Sequence, residues 1–524
     1  MGKTTRRAFL GGLGVAAGGT ALYTTMRMMG DVPASEYKGP VKLDGNPNGA
    51  KVLVLGAGLA GMVAALELRS AGYEVEILEY REKAGGRCWT LRGGDTYTEL
   101  GGAKQNVSFA DGNYFNPGPW RIPYDHHGVI DYCQRLGVQL EPFIQKNFNA
   151  YLHTSQGFDG TPKRYREISA DYRGQISELL AKAVNQGRLD DLVTADDRDI
   201  LIESLRATGI LNDELTYEMS MATSRYRGFG KLPGAGFEGA PDASEPIDLS
   251  PLLQSKIWAR LAEPDMIDHQ TPMFQPVGGM DMIAQALARE VGDLTRYNSK
   301  VLSLQQDEEQ VTVTYEDTLT GEKASTTADW CVCTIPFSIL GQIDHNLSSG
   351  LSQAIDGVWY RSSAKWGLEF NRRFWEEDEG IYGGISYTDL PIDLISYPSG
   401  DMFSKGPGVL LGGYVWRDDL AYEFTAMQPD ERIKWALEYG SRIHPQYLEE
   451  YKSGVSVAWH KVPWVLGCFG IWRDKERDYA NAVDIDNRVV CAGEHVSYLG
   501  AWMEGAVLSA VDAVSRLHDK VING

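Results

Sequence analysis

Residues 52–87 read VLVLGAGLAGMVAALELRSAGYEVEILEYREKAGGR, and this stretch decides the fold. An apolar strand, Val52 to Leu55, runs into Gly56-x-Gly58-x-x-Gly61. Gly56 permits a tight turn out of the strand, and Gly58 lets the backbone approach a pyrophosphate. Gly61 lets the following helix pack against the strand. That helix offers unpaired N–H groups and a positive dipole end to the phosphates. A second strand closes on Glu79, an acid placed to accept hydrogen bonds from a ribose. A Gly-rich turn alone is a weak signal. Strand, helix, second strand and terminal acid in this order specify a dinucleotide unit.

Five residues after Glu79 stands Gly85-Gly86-Arg87. This tail resembles the extended signature of FAD-dependent amine oxidases and related flavoproteins. A second Gly-rich turn with an adjacent Arg suits a cofactor that continues past the pyrophosphate toward a ribityl chain. The cofactor expected is therefore FAD.

With 524 residues the chain exceeds one compact core, so two or three domains are expected. The net charge of −21 argues against nucleic acid as a partner, because phosphate binding needs clustered Lys and Arg. Six cysteines, Cys88, Cys133, Cys331, Cys333, Cys468 and Cys491, show no disulfide framework and no metal-ligand spacing. Cys331-x-Cys333 lies in a strand-like run and is expected to send its side chains to opposite faces, so no shared metal is expected. The N-terminus, TTRRAFLGGLGVAAGGTALY, looks like a twin-arginine export signal, with Val32-Pro33-Ala34 before a candidate cleavage site. Residues 1–35 are assigned to it, which implies a periplasmic or secreted enzyme, or one anchored by this segment. No other stretch reaches membrane-spanning length.

A Gly/Asn/Pro-rich passage, Gly101 to Pro119, reads as a long loop. Residues 124–215 read as mainly helical, and Gly228 to Pro246 as a linker. After Gly278-Gly279 comes an amphipathic helix, MDMIAQALAREVG, then alternating strands VLSLQQ and VTVTYED and a buried strand WCVCTIP. A strand and helix close the chain. The fold class expected is mixed α/β: a discontinuous Rossmann-like FAD-binding domain, with a substrate-binding sheet domain and a helical domain inserted. The FAD-binding domain is assigned to 48–118, 276–345 and 488–524, the helical, substrate-lining region to 119–275, and the substrate-binding domain to 346–487.

These residues together resemble the flavin-containing amine oxidases, most closely the L-amino-acid oxidases. The resemblance rests on the extended nucleotide motif, Gly278-Gly279-Met280, Thr334-Ile335-Pro336, Ala492-Gly493-Glu494-His495 and Trp502-Met503-Glu504-Gly505-Ala506. It implies cofactor contacts at Gly56, Gly58, Leu59, Ala60, Gly61, Glu79, Gly86 and Arg87. It implies further contacts at Gly118, Pro119, Trp120, Arg121, Val301, Glu494 and Trp502 to Ala506. Lys365, in SSAKWGLEF, stands where the family carries a lysine near flavin N5, and is the catalytic candidate.

Substrate identity hangs on a different set of residues. Arg121, in GPWRIP, resembles the family Arg that grips the substrate carboxylate, since a guanidinium fork fits that group. Tyr414 would add a hydrogen bond. Ala501 replaces the family's usual Gly, whose backbone carbonyl holds the amine. Trp459, Trp464 and Phe469 would line the pocket opposite the flavin, with Trp502 at the substrate. Cys468 sits near where some monoamine oxidases bond a Cys to the flavin, but the surrounding motif differs and a noncovalent FAD is expected. The segment 101–117 is longer than the family pattern.

The implied reaction is oxidative deamination of L-amino acids, with hydride passing from Cα to flavin N5. The products are a 2-oxo acid, ammonia and, from dioxygen, hydrogen peroxide. The alternatives are a primary amine or polyamine oxidase, an amino-acid monooxygenase, and a flavin-binding protein without turnover. A homo-oligomer is compatible with the sequence.

Overall fold

The computed structural model describes residues 37–188 and 193–523. The export-signal segment falls outside them.

The strand Lys51–Leu55 is the middle of a five-stranded parallel sheet. The order is Thr295–Arg296, Glu74–Leu78, Lys51–Leu55, Trp330–Cys333, Val489–Cys491. Both faces are covered, so Val52 to Leu55 are all buried, as expected of a parallel sheet. Val52, Val54, Val332 and Val490 pack with the helices Leu59–Ser70 and Met503–Asn523, through Met62, Val63, Val507 and Val514 among others. Leu53, Leu55, Cys331, Cys333 and Cys491 share the opposite core. This corrects the expectation for Cys331 and Cys333. Strand side chains repeat every two residues, so positions i and i+2 share a face. All six cysteines are unbridged, and no group of three metal-capable side chains occurs among the described residues.

The second sheet is mixed and seven-stranded. Its order is Lys163–Arg164, Tyr151–Leu152, Ile385–Tyr387, Leu394–Ser396, Gly408–Val415, Ala364–Phe370, Tyr451–Ala458. The alternating segments are strands as expected, and they pair: Ser299–Gln306 runs antiparallel to Val311–Asp317, with a bulge between Val301 and Ser303.

Two segments differ from their expected form. Gly101 to Pro119 contains two short strands: Lys104–Asn106 folds back on Thr96–Thr98, and Tyr114–Phe115 pairs with Leu91–Arg92. Residues 124–215 are helical at His127–Arg135, Tyr165–Asn185 and Ala195–Gly209, but short strands lie between. One of these, Leu140–Phe143, pairs with Met273–Pro276, which also pairs with Ile122–Pro123. Partners so distant in sequence leave no local pattern. No helix of the described residues is long and apolar enough to cross a membrane.

Candidate functional site

A cavity of about 750 Å³ runs from the Gly-rich turn to the inner face of the seven-stranded sheet. Its first end is made largely of backbone. The helix Leu59–Ser70 starts at Gly58 with no side-chain cap and no acid in its first turn. Its leading N–H groups therefore have no intrahelical acceptor and lie at the cavity wall. A Cβ on Gly58 would meet no protein atom within 4 Å and would project into this open space. The second Gly-rich turn sits directly on the first: Gly85 N–H donates to Ala57 O at 2.8 Å. A Cβ on Gly86 would stand 3.2 Å from Gly58 Cα.

Glu79 is buried beneath this turn and lines the cavity. Its carboxylate accepts from the N–H groups of Ala57 (2.6 Å) and Arg81 (2.9 Å). Burial pushes its pKa up, and those two N–H groups oppose the rise. Farther along, Arg87 donates to Glu494 at 2.6 Å. Burial works against the Glu494 charge, but Arg87 holds the carboxyl below its usual range. Glu494 also accepts from the N–H groups of Gly470 and Ala501.

The second end is made of side chains. Lys365 and Tyr414 are direct cross-strand partners, so they share a face of the sheet. Lys365 is 1% exposed, and its Nζ donates to Gly118 O. The same Nζ lies 4.0 Å from the Trp120 ring centroid and 4.3 Å from that of Tyr414. Burial drives the Lys365 pKa well below its normal value; Cys468 works against the fall and Arg121 adds to it. Arg121 is 5% exposed. Its Nη1 donates to Gln145 Oε1 at 2.6 Å and its Nη2 to His269 Nε2 at 2.7 Å. Its guanidinium lies 4.3 Å from the Trp120 ring and 5.8 Å from Trp502. Trp459 closes the wall and donates to Pro117 O at 2.9 Å. Trp416, Trp464, Phe469 and Leu100 complete an apolar rim.

Most of the expected residues therefore surround one space: Gly56, Gly58, Leu59, Ala60, Glu79, Gly86, Arg87, Gly118, Pro119, Trp120, Arg121, Val301, Lys365, Tyr414, Trp459, Glu494, Ala501, Trp502, Met503 and Ala506 all line it. Three of the expected cofactor contacts stand apart. Gly61 packs behind the turn, where a Cβ would lie 1.9 Å from Gly56 O. Gly505 packs on Leu499 O. Glu504 points into the protein and accepts the N–H groups of Gly128 (2.9 Å) and Val129 (2.8 Å) at the start of the helix His127–Arg135. The cause is helical periodicity: Met503 and Ala506 share a face, and the two residues between them do not.

His269 and Gln145 were missed. His269 ends the short 3-10 helix Ile267–His269 and Gln145 follows the strand Leu140–Phe143; neither carries a motif, and the three-stranded sheet brings them to Arg121. The segment 101–117 runs along the sheet and does not line the cavity. Gln105 bonds the backbone of Ser456, and Ala110 N–H and Asn113 donate to buried Glu369.

A dinucleotide cradle joined to a buried lysine and arginine defines a flavoprotein oxidoreductase site. The chain belongs to the flavin-containing amine oxidoreductase family, whose sequence pattern matches residues 59–518. FAD is its cofactor, and the open cradle at Gly58 fits it. Among relatives, YobN of Bacillus subtilis (strain 168), provisionally called an L-amino-acid oxidase, is 30% identical, over 88% of this chain and 93% of that protein. The L-amino-acid oxidase of Siganus canaliculatus is 27% identical, over 90% of this chain and 86% of that protein. Two solved structures share the fold. Putrescine oxidase bound to putrescine has a TM-score of 0.58 and 18% identity, covering 91% of this chain and 99% of that one. Cyclohexylamine oxidase from Brevibacterium oxydans has a TM-score of 0.59 and 16% identity, covering 90% of this chain and 99% of that one.

Proposed function

We propose that the protein is an L-amino-acid oxidase, converting L-amino acids, water and dioxygen to 2-oxo acid, ammonia and hydrogen peroxide. The observation that carries this reading is the buried Arg121 at the cavity wall. A guanidinium offers a carboxylate two parallel N–H donors, and in a dry pocket such a pair is strong. The carboxylates lining the cavity are Glu79 and Glu494, on the Gly-rich-turn and Arg87 side. Arg121 and Lys365 line the other end. A diamine brings a second ammonium to an end whose charged group is the Arg121 guanidinium, which disfavours the polyamine reading.

The chemistry that bound FAD would supply is acceptance of a hydride from the substrate Cα and transfer of the two electrons to dioxygen. The chain's own residues do the rest. Arg121 orients the carboxylate, and Tyr414 stands across the sheet as a second donor. Lys365, whose burial favours the neutral amine, offers Nζ as a proton acceptor near the substrate amino group. The wall of Trp459, Trp464 and Phe469 excludes water and confines the substrate. Leu59, Ala60 and Glu79 would hold the pyrophosphate and ribose, Val301 the adenine, and Arg87 and Glu494 the region beyond. The flavin is proposed to be noncovalent, so acid precipitation should release it to the supernatant. Export by the twin-arginine route is proposed from residues 4–23, and cell fractionation tests it.

A peroxide-coupled screen of L-amino acids and simple amines tests the central claim. Arg121→Ala should cut kcat/KM for L-amino acids by roughly a hundredfold or more, the loss expected when one partner of a buried charged pair is removed. Unchanged turnover would sink the assignment. Product analysis separates the monooxygenase, which releases an amide.

A further inference from the structure

We infer that His269 is a positioning residue for Arg121, holding the guanidinium as a neutral acceptor; this rests on the carboxylate reading above. The tautomer follows from the hydrogen bonds. Arginine stays protonated and has only donors, so His269 Nε2, 2.7 Å from Arg121 Nη2, must accept. Nδ1 therefore carries the proton and donates to Glu263 O at 2.9 Å, a carbonyl that can only accept. The ring is buried, with 4% of its surface exposed, and it lines the cavity beside Arg121. Trp502 meets it edge to face at 6.4 Å.

On the other side Gln145 Oε1 takes Nη1 at 2.6 Å, and Gln145 Nε2 donates to Tyr387 OH at 3.3 Å. Each terminal nitrogen of an arginine carries two N–H groups, so neither acceptor uses up its nitrogen. The two acceptors are uncharged. A carboxylate in either place would compete with the substrate for the guanidinium; neutral acceptors fix its plane without that competition. The stacked Trp120 ring, 4.3 Å away, restrains the third direction. These contacts order the guanidinium before any ligand arrives, which lowers the ordering cost of carboxylate binding.

The test uses the FAD-loaded enzyme, with benzoate as a carboxylate probe and benzamide as its neutral counterpart. Binding is read from the change in flavin absorbance. His269→Leu should weaken benzoate binding about tenfold or more and leave benzamide within about twofold. His269→Gln, which keeps an acceptor at the position of Nε2, should recover most of the benzoate affinity. With amino-acid substrates, His269→Leu should raise KM more than it lowers kcat. Unchanged benzoate affinity in His269→Leu, alongside a loss in Arg121→Met, would overturn the positioning role while the carboxylate reading stands. Equal loss of benzoate and benzamide, or no recovery in His269→Gln, would also overturn it, by showing a general packing role. Unchanged benzoate affinity in Arg121→Met would overturn both readings together.

Discussion

The two ends of the cavity are built by opposite means. The cofactor end is largely main chain centred on one stretch, with glycines, helix N–H groups and Glu79 at a strand end, and the Arg87–Glu494 pair beyond it. The substrate end is side chains from separate segments, namely Arg121, Gln145, His269, Lys365 and Tyr414, joined only by tertiary pairing. Backbone donors suit an invariant ligand such as a nucleotide pyrophosphate. Side chains can be exchanged singly, so specificity can change there without disturbing cofactor binding. Gly118 joins the two. A Cβ there would lie 2.0 Å from Arg87 O, and its own carbonyl accepts from Lys365.

The contrast predicts that the packed back of the first end, behind the turn, tolerates no added volume. In Gly61→Ala the new methyl would stand 1.9 Å from Gly56 O, a backbone atom with nowhere to go. The cost should reach or pass the upper end of the roughly 1–3 kcal/mol typical of overpacking. The protein should purify with little FAD, measured as flavin absorbance per protein. A fully loaded variant with unchanged melting would break the argument that the turn is sterically closed.

Glu504 sharpens the border between the ends. It sits within the Trp502 to Ala506 block yet serves the helix His127–Arg135 through two N–H groups. Glu504→Gln keeps one acceptor oxygen and sets an NH2 against the other N–H. The expected loss is about 1–3 kcal/mol of stability, the cost of an unsatisfied buried donor. FAD affinity should hold in the folded fraction. A variant that keeps its melting temperature but loses flavin would return Glu504 to the cofactor.

Those cases also mark what the sequence could tell. The turn and Glu79 were legible because their contacts are local and their order is mechanical; Arg87 was legible from the Gly85-Gly86-Arg87 pattern, although its partner Glu494 is distant in sequence. Glu504 was misread because a contiguous block was treated as one surface, although a helix turns about 100° per residue. Cys331 and Cys333 were misread for the converse reason, a strand's period of two. His269 and Gln145 carried no signal. Their role depends on Met273–Pro276 lying between Ile122–Pro123 and Leu140–Phe143, a pairing that no local spacing encodes.

At the substrate end, the buried lysine should make stability depend on pH. Unfolded lysine is protonated below about 10.4. In the fold, burial lowers the Lys365 pKa well below that, so the unfolded chain binds the extra proton. Stability from this site is then greatest above pH 10.4 and falls as pH drops below it, by at most about 1.4 kcal/mol per pH unit. Lys365→Met removes this slope. Its stability relative to the parent should rise as pH is lowered from about 10 toward 7. Denaturant curves at several pH values measure this, and a constant difference would show that Lys365 stays charged in the fold.

The smallest effect lies where the ends meet. Ala501 has φ +70°, in the left-handed region that glycine adopts freely, and its N–H donates to Glu494 at 3.0 Å. A Cβ in that conformation costs about 1–2 kcal/mol. Ala501→Gly relieves this cost but gives the unfolded chain more freedom, worth about 0.4–1 kcal/mol the other way. The net gain should be on the order of 0.5 kcal/mol, a rise in melting temperature of about a degree or two. The methyl also lines the cavity beside Trp502, so its removal should enlarge the space at the amine end while the backbone carbonyl stays in place. KM for bulkier amines or amino acids should fall slightly, with kcat unchanged. A destabilised Ala501→Gly would mean that the methyl's packing against the cavity wall outweighs the backbone strain. The substrate end would then have fixed this residue by contact, at the expense of the backbone geometry that governs the cofactor end.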